Sequence, residues 1–225
     1  MSTIPLRMAP IVPSGVIVVE ETTTATDESL SPHPEEVRAL GRACELRRLE
    51  FAAGRRCARM ALRLLDHVDV PILRGQQREP RWPDSIVGSI THCSGYCAAA
   101  VARTQEFRSI GIDAELDAPL PRGVLAMIAR EEEYRWLSET NGSGVCWDRL
   151  LFCAKESIFK AWFPLTRSWI GFRDALVSVD PQTQSFSASI VAEDLGSDAG
   201  MITSFSGRYL MTAGHILTLV SVPCA

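Results

Sequence analysis

The sequence predicts an α+β fold. Two observations carry that reading. Helical and strand-like apolar patterns occupy separate blocks instead of alternating along the chain. The order also recurs: helices then strands in the first half, helices then strands in the second, without a sequence repeat. A chain of 225 residues can bury one sizeable core or two small lobes. Two lobes would join near residues 105–112.

Composition excludes several classes. Apolar residues make up 46% and charged residues 22%, ordinary for a globular protein, and a net charge of −4 gives no global basic field for nucleic acid. No apolar run approaches membrane-spanning length. Arg7 stands in an N-terminus that lacks a signal-peptide apolar region and cleavage site, so a cytoplasmic protein is expected. Seven cysteines, an odd number at irregular spacing, argue for reduced thiols. His92, Cys93 and Cys97 resemble half of a zinc site, but no second ligand pair supports one.

Taken in order, the run from Ile11 to Val19 is interrupted by Pro13, Ser14 and Gly15 and gives a short strand at 16–20. Residues 21–34 are polar and read as a loop. A helix starts over Ser31 to Glu36, with acidic residues in its first turn and one face marked by Val37, Leu40, Cys44 and Phe51. Gly54 is expected to break or bend it. A second helix then turns Cys57, Met60, Ala61, Leu64 and Leu65 inward. The polar sides hold Arg42, Arg47, Arg48, Arg55, Arg56, Arg59 and Arg63, seven arginines in 22 positions. That density fits either a solvated face or a wall for an anionic ligand, since guanidinium forks match phosphate oxygens.

A long connection at 66–85 follows, with Pro71, Gly75, Pro80 and Pro83, further arginines at 74, 78 and 81, and Trp82 as its anchor. The pattern then switches to strands. Ile86 to Thr91, Cys97 to Ala102 and Ser109 to Glu115 have short connections and read as an antiparallel meander. Gly88, Ser89 and Ala98 to Ala100 leave room for close approach of backbone or ligand. On the third strand Asp113 and Glu115 are two apart and share a face. Paired carboxylates repel unless a cation sits between them, and such hard oxygen ligands suit Mg²⁺. A solvated strand end is the alternative.

Residues 119–140 are helical in character and 138–144 form a loop. A helix over about 146–163 has Trp147, Leu150, Leu151, Ala154, Ile158, Ala161 and Trp162 on its apolar stripe, and Pro164 is expected to stop it. Glu156 and Lys160, four apart, share a face. Strands follow at 175–179 and 186–191, then a hairpin over 207–222 turning near Ala213-Gly214.

Three stretches stand in order: Gly88-Ser89-Ile90-Thr91-His92-Cys93, Ile110-Gly111-Ile112-Asp113-Ala114-Glu115, and Phe152 through Lys155-Glu156-Ser157 to Lys160. With Gly54-Arg55-Arg56-Cys57-Ala58-Arg59, this set resembles the two-lobed, broad-specificity 4′-phosphopantetheinyl transferases over roughly residues 40–175. Phe152 replaces a more usual tryptophan, and Cys97 stands where relatives often place a basic residue.

The resemblance implies two similar α+β lobes, 1–108 and 109–225, related by pseudo-twofold symmetry with the ligand in the cleft between them. It implies transfer of phosphopantetheine from coenzyme A to a serine of an apo acyl or peptidyl carrier protein, with release of 3′,5′-ADP. Asp113, Glu115 and Glu156 would hold Mg²⁺. Lys155 would contact phosphate, Lys160 would support the same face, and His92 and Ser89 would approach coenzyme A. Arg47, Arg55 and Arg74 are assigned to its adenosine-phosphate end. Glu156 and Glu133 are the candidate bases, with metal-bound hydroxide as an alternative. A monomer with one complete site is expected. Phe163, Trp169 and Phe172 are candidate carrier contacts whose expected use is core packing. The rival functions are a Mg²⁺-dependent coenzyme A or nucleotide pyrophosphatase and a non-catalytic coenzyme A- or carrier-binding module.

Overall fold

The computed structural model describes residues 7–22, 33–38, 44–140, 144–191, 202–212 and 214–224. Most of the polar stretch at 21–34, along with Leu40, Arg42 and Ala213, lies outside them. The architecture is α+β, and the chain divides into two compact units, Met1–Ile110 with Pro223–Ala225, and Gly111–Val222.

In the first unit, β1 (Ile17–Glu21), β2 (Ile86–Cys93) and β3 (Tyr96–Arg103) form an antiparallel sheet in the order β1-β3-β2. Val19 faces Ala99, Ser89 faces Ala100 and His92 faces Cys97 in the register. A short helix, α1 (Pro34–Arg38), precedes the 20-residue α2 (Glu45–Leu64). Ala52, Ala53, Cys57, Ala58, Ala61 and Leu62 of α2 share a core with Cys97, Ala99 and Val101 of β3. Small residues on both sides let helix and sheet approach closely. The expected break at Gly54 is absent, because α2 runs through it. A Cβ there would lie 2.9 Å from Ile90 Cγ2, so this glycine serves the helix–sheet contact.

In the second unit, β4 (Phe107–Leu116) enters from the first unit and is followed by α3 (Val124–Ile128), α4 (Glu131–Thr140) and α5 (Trp147–Thr166). The remaining strands are β5 (Ala175–Asp180), β6 (Ser185–Ile190), β7 (Ser204–Thr212) and β8 (His215–Pro223). Their sheet order is β4-β8-β7-β6-β5. The third strand of the expected meander therefore leaves its neighbours. The central strand β3 already has β1 and β2 on its two edges, and β4 joins β8 instead.

Two helix expectations change as well. The helical stretch at 119–140 is two helices, separated at Ala129, whose backbone is extended. Helix α5 continues past Pro164, which sits in its last turn and removes only the bond to the Lys160 carbonyl. Arg167, in the left-handed region at φ 54°, then closes the helix by bonding to Phe163 O.

The core of this unit is built on α5. Leu150, Leu151, Ala154, Ile158, Ala161 and Trp162 are buried with Val177, Phe186, Phe205, Tyr209, Ile216 and Val220 from the sheet. Trp162 donates its indole N–H to Ser168 O at 3.0 Å, so its burial leaves no polar atom orphaned. The tightest point is Gly111. A Cβ built there would lie 1.9 Å from Ser157 O and 2.7 Å from Ala161 N, so β4 and α5 touch backbone to backbone.

The two glycines predict outcomes of different size. Gly111→Ala is expected to destabilise the fold by about 3 kcal/mol or more, because helix backbone cannot move aside. Gly54→Ala meets only one side-chain methyl, on the stiff Ile90, and gains about 0.8–1 kcal/mol of helix propensity, so it is expected to cost clearly less than Gly111→Ala. Urea unfolding midpoints decide, and equal midpoints for the two variants would contradict the backbone contact.

Candidate active site

Strand alternation brings Asp113 and Glu115 to one face of β4, and the Gly111 contact sets that strand against α5. Lys160 on α5 donates to Asp113 Oδ1 at 2.7 Å and to Ile112 O at 3.1 Å. Burial lowers the proton affinity of this ammonium, but Asp113, with Glu156 and Cys153, turns the net shift upward. Arg149, in the first turn of α5, donates from Nη1 to Glu115 Oε2 at 2.9 Å. Its Nε and Nη2 bond to Ala118 O and Pro119 O, each at 2.9 Å.

Glu156, one turn before Lys160, completes the acidic set. Burial pushes its carboxyl above the usual range, opposed by Lys160 and reinforced by Asp113 and Glu115. Burial and Asp113 likewise raise Glu115, with Arg149 and Lys160 opposing. The three carboxylates thus share one local field. Among the described residues, no three acidic, histidine or cysteine side chains converge tightly enough to hold a metal ion. Asp113 is turned to Lys160 and Glu115 to Arg149. Three acids against two bases leave one uncompensated negative charge in a half-buried place. A donor set of hard oxygens with excess negative charge is chemically suited to a divalent cation.

The structure corrects the expectation for Lys155. Its ammonium is not presented to a ligand, for the side chain is 1% exposed. It donates to Glu133 Oε2, Ile128 O, Phe172 O and Ala175 O at 2.8–2.9 Å. Four acceptors around three N–H donors leave nothing for a phosphate. Burial lowers its proton affinity and Glu133 opposes that.

Glu133 is corrected with it. Its Oε2 also accepts from Arg130 N at 2.7 Å, the reciprocal part of a capping box at the start of α4. Its Oε1 accepts from Val177 N at 2.8 Å. A carboxylate so buried and so fully used ties α4, α5 and β5 together and is not placed to take a proton from a substrate.

The first unit gathers a different chemistry. Arg55 and Arg74 both lie against the Phe51 ring, with guanidinium carbons 4.4 and 4.6 Å from its centroid. Arg47 donates to His92 Nε2 at 2.5 Å and to Glu50 Oε2 at 3.3 Å. His92 Nδ1 is 3.6 Å from the same Glu50 oxygen. Burial pulls Arg55 down to about 10, with Arg74 and Arg47 adding to the fall and Glu36 opposing it. Burial, Arg47 and Arg78 lower Arg74 as well.

Of the other described arginines of the cluster, Arg48 and Arg63 are exposed, whereas Arg56 and Arg59 are held by acidic partners. Arg59 is buried against Glu36, Arg56 holds Glu21 at 2.5 Å, and Arg63 pairs with Asp69. Arg55 and Arg74 on the Phe51 ring, with Arg47 in electrostatic range of both, form a cationic group. Ser89 is buried in β2. Phe163 packs inward and Phe172 stacks on Phe152, whereas Trp169 is 71% exposed beside Phe159. Core packing thus fails for Trp169.

Sequence reasoning missed Arg149. The signal was present: Arg149 lies seven before Glu156 and eleven before Lys160, so all three share a helical stripe.

Residues 35–102 match the 4′-phosphopantetheinyl transferase N-terminal domain, and residues 109–213 match the 4′-phosphopantetheinyl transferase superfamily. The chain is 42% identical over 219 residues to 4′-phosphopantetheinyl transferase Npt of Nocardia iowensis, covering 94% of this chain and 97% of that protein. It is 42% identical to 4′-phosphopantetheinyl transferase PptT of Mycobacterium tuberculosis, covering 85% and 86%. A shorter match, 35% identical over 58% of this chain and 60% of the relative, is enterobactin synthase component D of Escherichia coli. The chain belongs to the 4′-phosphopantetheinyl transferase superfamily and is a transferase of that class. No helix among the described residues is long and apolar enough to cross a membrane.

Lys155→Met is expected to destabilise the protein by about 3–5 kcal/mol, because it strands the Glu133 carboxylate in the core. Adding Glu133→Gln should recover part of that loss in a double-mutant cycle. Wild-type stability in Lys155→Met with turnover alone abolished would return the ammonium to the substrate.

Proposed function

We propose that this transferase moves 4′-phosphopantetheine from coenzyme A to a serine of an apo acyl or peptidyl carrier protein. The serine Oγ attacks the β-phosphorus, the bond to the 3′,5′-ADP oxygen breaks, and the serine proton is released. The observation that supports this most is the acidic set of Asp113, Glu115 and Glu156 held beside Lys160 on the β4–α5 contact.

In this reading the three carboxylates hold Mg²⁺. The ion supplies charge neutralisation at the pyrophosphate and orients it. Asp113 and Glu115 are presented by β4 and Glu156 by α5. Lys160, already at Asp113, is placed to exchange a carboxylate oxygen for a phosphate oxygen. Of the two acids considered for the serine proton, Glu133 is bound up in the core and Glu156 alone remains at the acidic set.

Arg47, Arg55, Arg74 and His92 take the adenosine-phosphate end of coenzyme A. Three guanidinium groups in mutual range raise each other's energy, and a phosphate dianion relieves that repulsion while accepting bidentate bonds. The seven free thiols fit a reducing, cytoplasmic setting. The likeness to an enterobactin synthase component supports a carrier in siderophore or related assembly-line biosynthesis as acceptor.

Incubation with coenzyme A, Mg²⁺ and apo carrier domains is expected to add one phosphopantetheine per carrier, read by mass spectrometry. Asp113→Ala should abolish the shift. Arg74→Ala should raise KM for coenzyme A by roughly tenfold, with kcat changed less than about threefold. Release of 3′,5′-ADP without a carrier would instead favour a pyrophosphatase. Binding of coenzyme A with no transfer to any carrier would favour a non-catalytic module.

A further inference from the structure

We infer that Arg149 is a positioning residue: it fixes the Glu115 carboxylate for a divalent cation by tying it to the chain segment that follows β4. The inference rests on the proposed cation role of Asp113, Glu115 and Glu156.

Arg149 uses its guanidinium in three directions at once. Nη1 takes Glu115 Oε2, Nε takes Ala118 O and Nη2 takes Pro119 O, all at 2.9 Å. A planar fork with all three nitrogens engaged cannot swing without breaking several bonds. Its neighbour Asp148 accepts from Leu120 N at 2.9 Å and from Arg149 N at 2.8 Å. The first turn of α5 therefore grips residues 115–120 from two adjacent side chains. Glu115 needs the Arg149 part of that grip, the only one of the two that touches its carboxylate. It lies one residue before the end of β4, where backbone pairing is weakest, and its side chain has three rotatable bonds to order before it can ligate.

Arg149 engages one oxygen of Glu115, so one carboxylate can meet guanidinium and cation on different oxygens. This differs from the Lys160–Asp113 pair, in which a single-point ammonium can move away. Two effects of Arg149 oppose each other at the metal. Its positive charge repels a cation, and its fork pre-orders the ligand. The geometry points to pre-ordering as the larger effect, since outer partners of metal ligands commonly tune affinity by 10–100-fold.

The test is Mn²⁺ binding to the full chain without coenzyme A or carrier, followed by electron paramagnetic resonance. Arg149→Lys keeps the charge and loses the fork, and it is expected to weaken Mn²⁺ binding about tenfold. Arg149→Gln should weaken it too. In turnover, both should raise the metal concentration for half-maximal rate by a similar factor, with kcat at saturating metal within about twofold of wild type. Binding is measured on variants with native far-UV circular dichroism, and Arg149→Lys decides alone if Arg149→Gln does not fold.

Asp148→Ala loosens the same segment through Leu120 without touching Glu115. It should lower Tm and leave Mn²⁺ binding within about twofold. Tighter binding in Arg149→Gln, wild-type binding in Arg149→Lys, or equal weakening in Asp148→Ala would each overturn the inference. Asp113→Ala is measured beside them. Its loss of Mn²⁺ binding upholds the cation reading and leaves the Arg149 variants to decide, whereas unchanged binding overturns the cation reading and this inference with it.

Discussion

The backbone contact between Gly111 and α5 is the constraint on which the second unit's chemistry depends. A side chain at 111 would overlap the Ser157 carbonyl, so no other residue lets β4 lie this close to the helix. Two residues further on, Asp113 reaches Lys160, one helical turn from Ser157. Glu115, two more along, comes level with Arg149 at the other end of the helix. Strand rise and helix rise run past each other here, and the contact point sets which acid meets which base. Moving the strand outward by the width of a methyl group would lengthen the Asp113–Lys160 bond beyond hydrogen-bonding range.

Helix α5 carries two lysines five residues apart with opposite fates. Lys160 lies at the edge of the core, with one carboxylate and one carbonyl, and its side chain keeps 26% exposure. Lys155 lies inside the core with four acceptors, one of them a carboxylate that is itself anchored by two backbone N–H groups. Burying an ion pair is tolerable only when the remaining donors and acceptors are satisfied, and the Lys155–Glu133 pair meets that condition. The same helix thus holds one cation fixed for architecture and another placed to exchange partners.

Much of this was legible in the sequence, and the failures have physical causes. Short apolar runs between turn residues located the strands, and the Asp113/Glu115 spacing put both acids on one face. The phosphate contact that the resemblance implies for Lys155 fails because the residue lies on a buried stripe of α5. Leu151, Ile158 and Trp162 stand four before, three after and seven after it, so the helix carries it into the core. Glu133 could not be chosen among three consecutive glutamates by pattern, because only the tertiary contact to Lys155 distinguishes it. The strand partner of β4 was beyond local patterning, since pairing with β8 joins segments about a hundred residues apart. At Gly54 a local propensity was read as a break where tertiary packing decided for a continuous helix.

The first unit makes the complementary case, in which like charges are held together instead of opposite ones. Phe51 offers its faces to two guanidinium groups, and cation–π attraction of about 1–2 kcal/mol each offsets part of their mutual repulsion. Arg55 is further fixed by its bond to Ile72 O at 2.7 Å, so it cannot relax away from Arg74. Burial is the first cause of the lowered proton affinity of Arg55, and the repulsion from Arg74 and Arg47 adds to it. Folding sustains that repulsion through the Phe51 contacts and the buried Glu36 carboxylate, which also accepts from Ile72 N at 2.9 Å. Strain of this kind is removed by an anion, not by another cation or a neutral group. Under the proposed role, binding energy for the adenosine-phosphate end is therefore stored in the repulsion among Arg47, Arg55 and Arg74. Replacing one of the three would lower affinity by less than the bonds it makes to ligand, because the survivors relax in the free state.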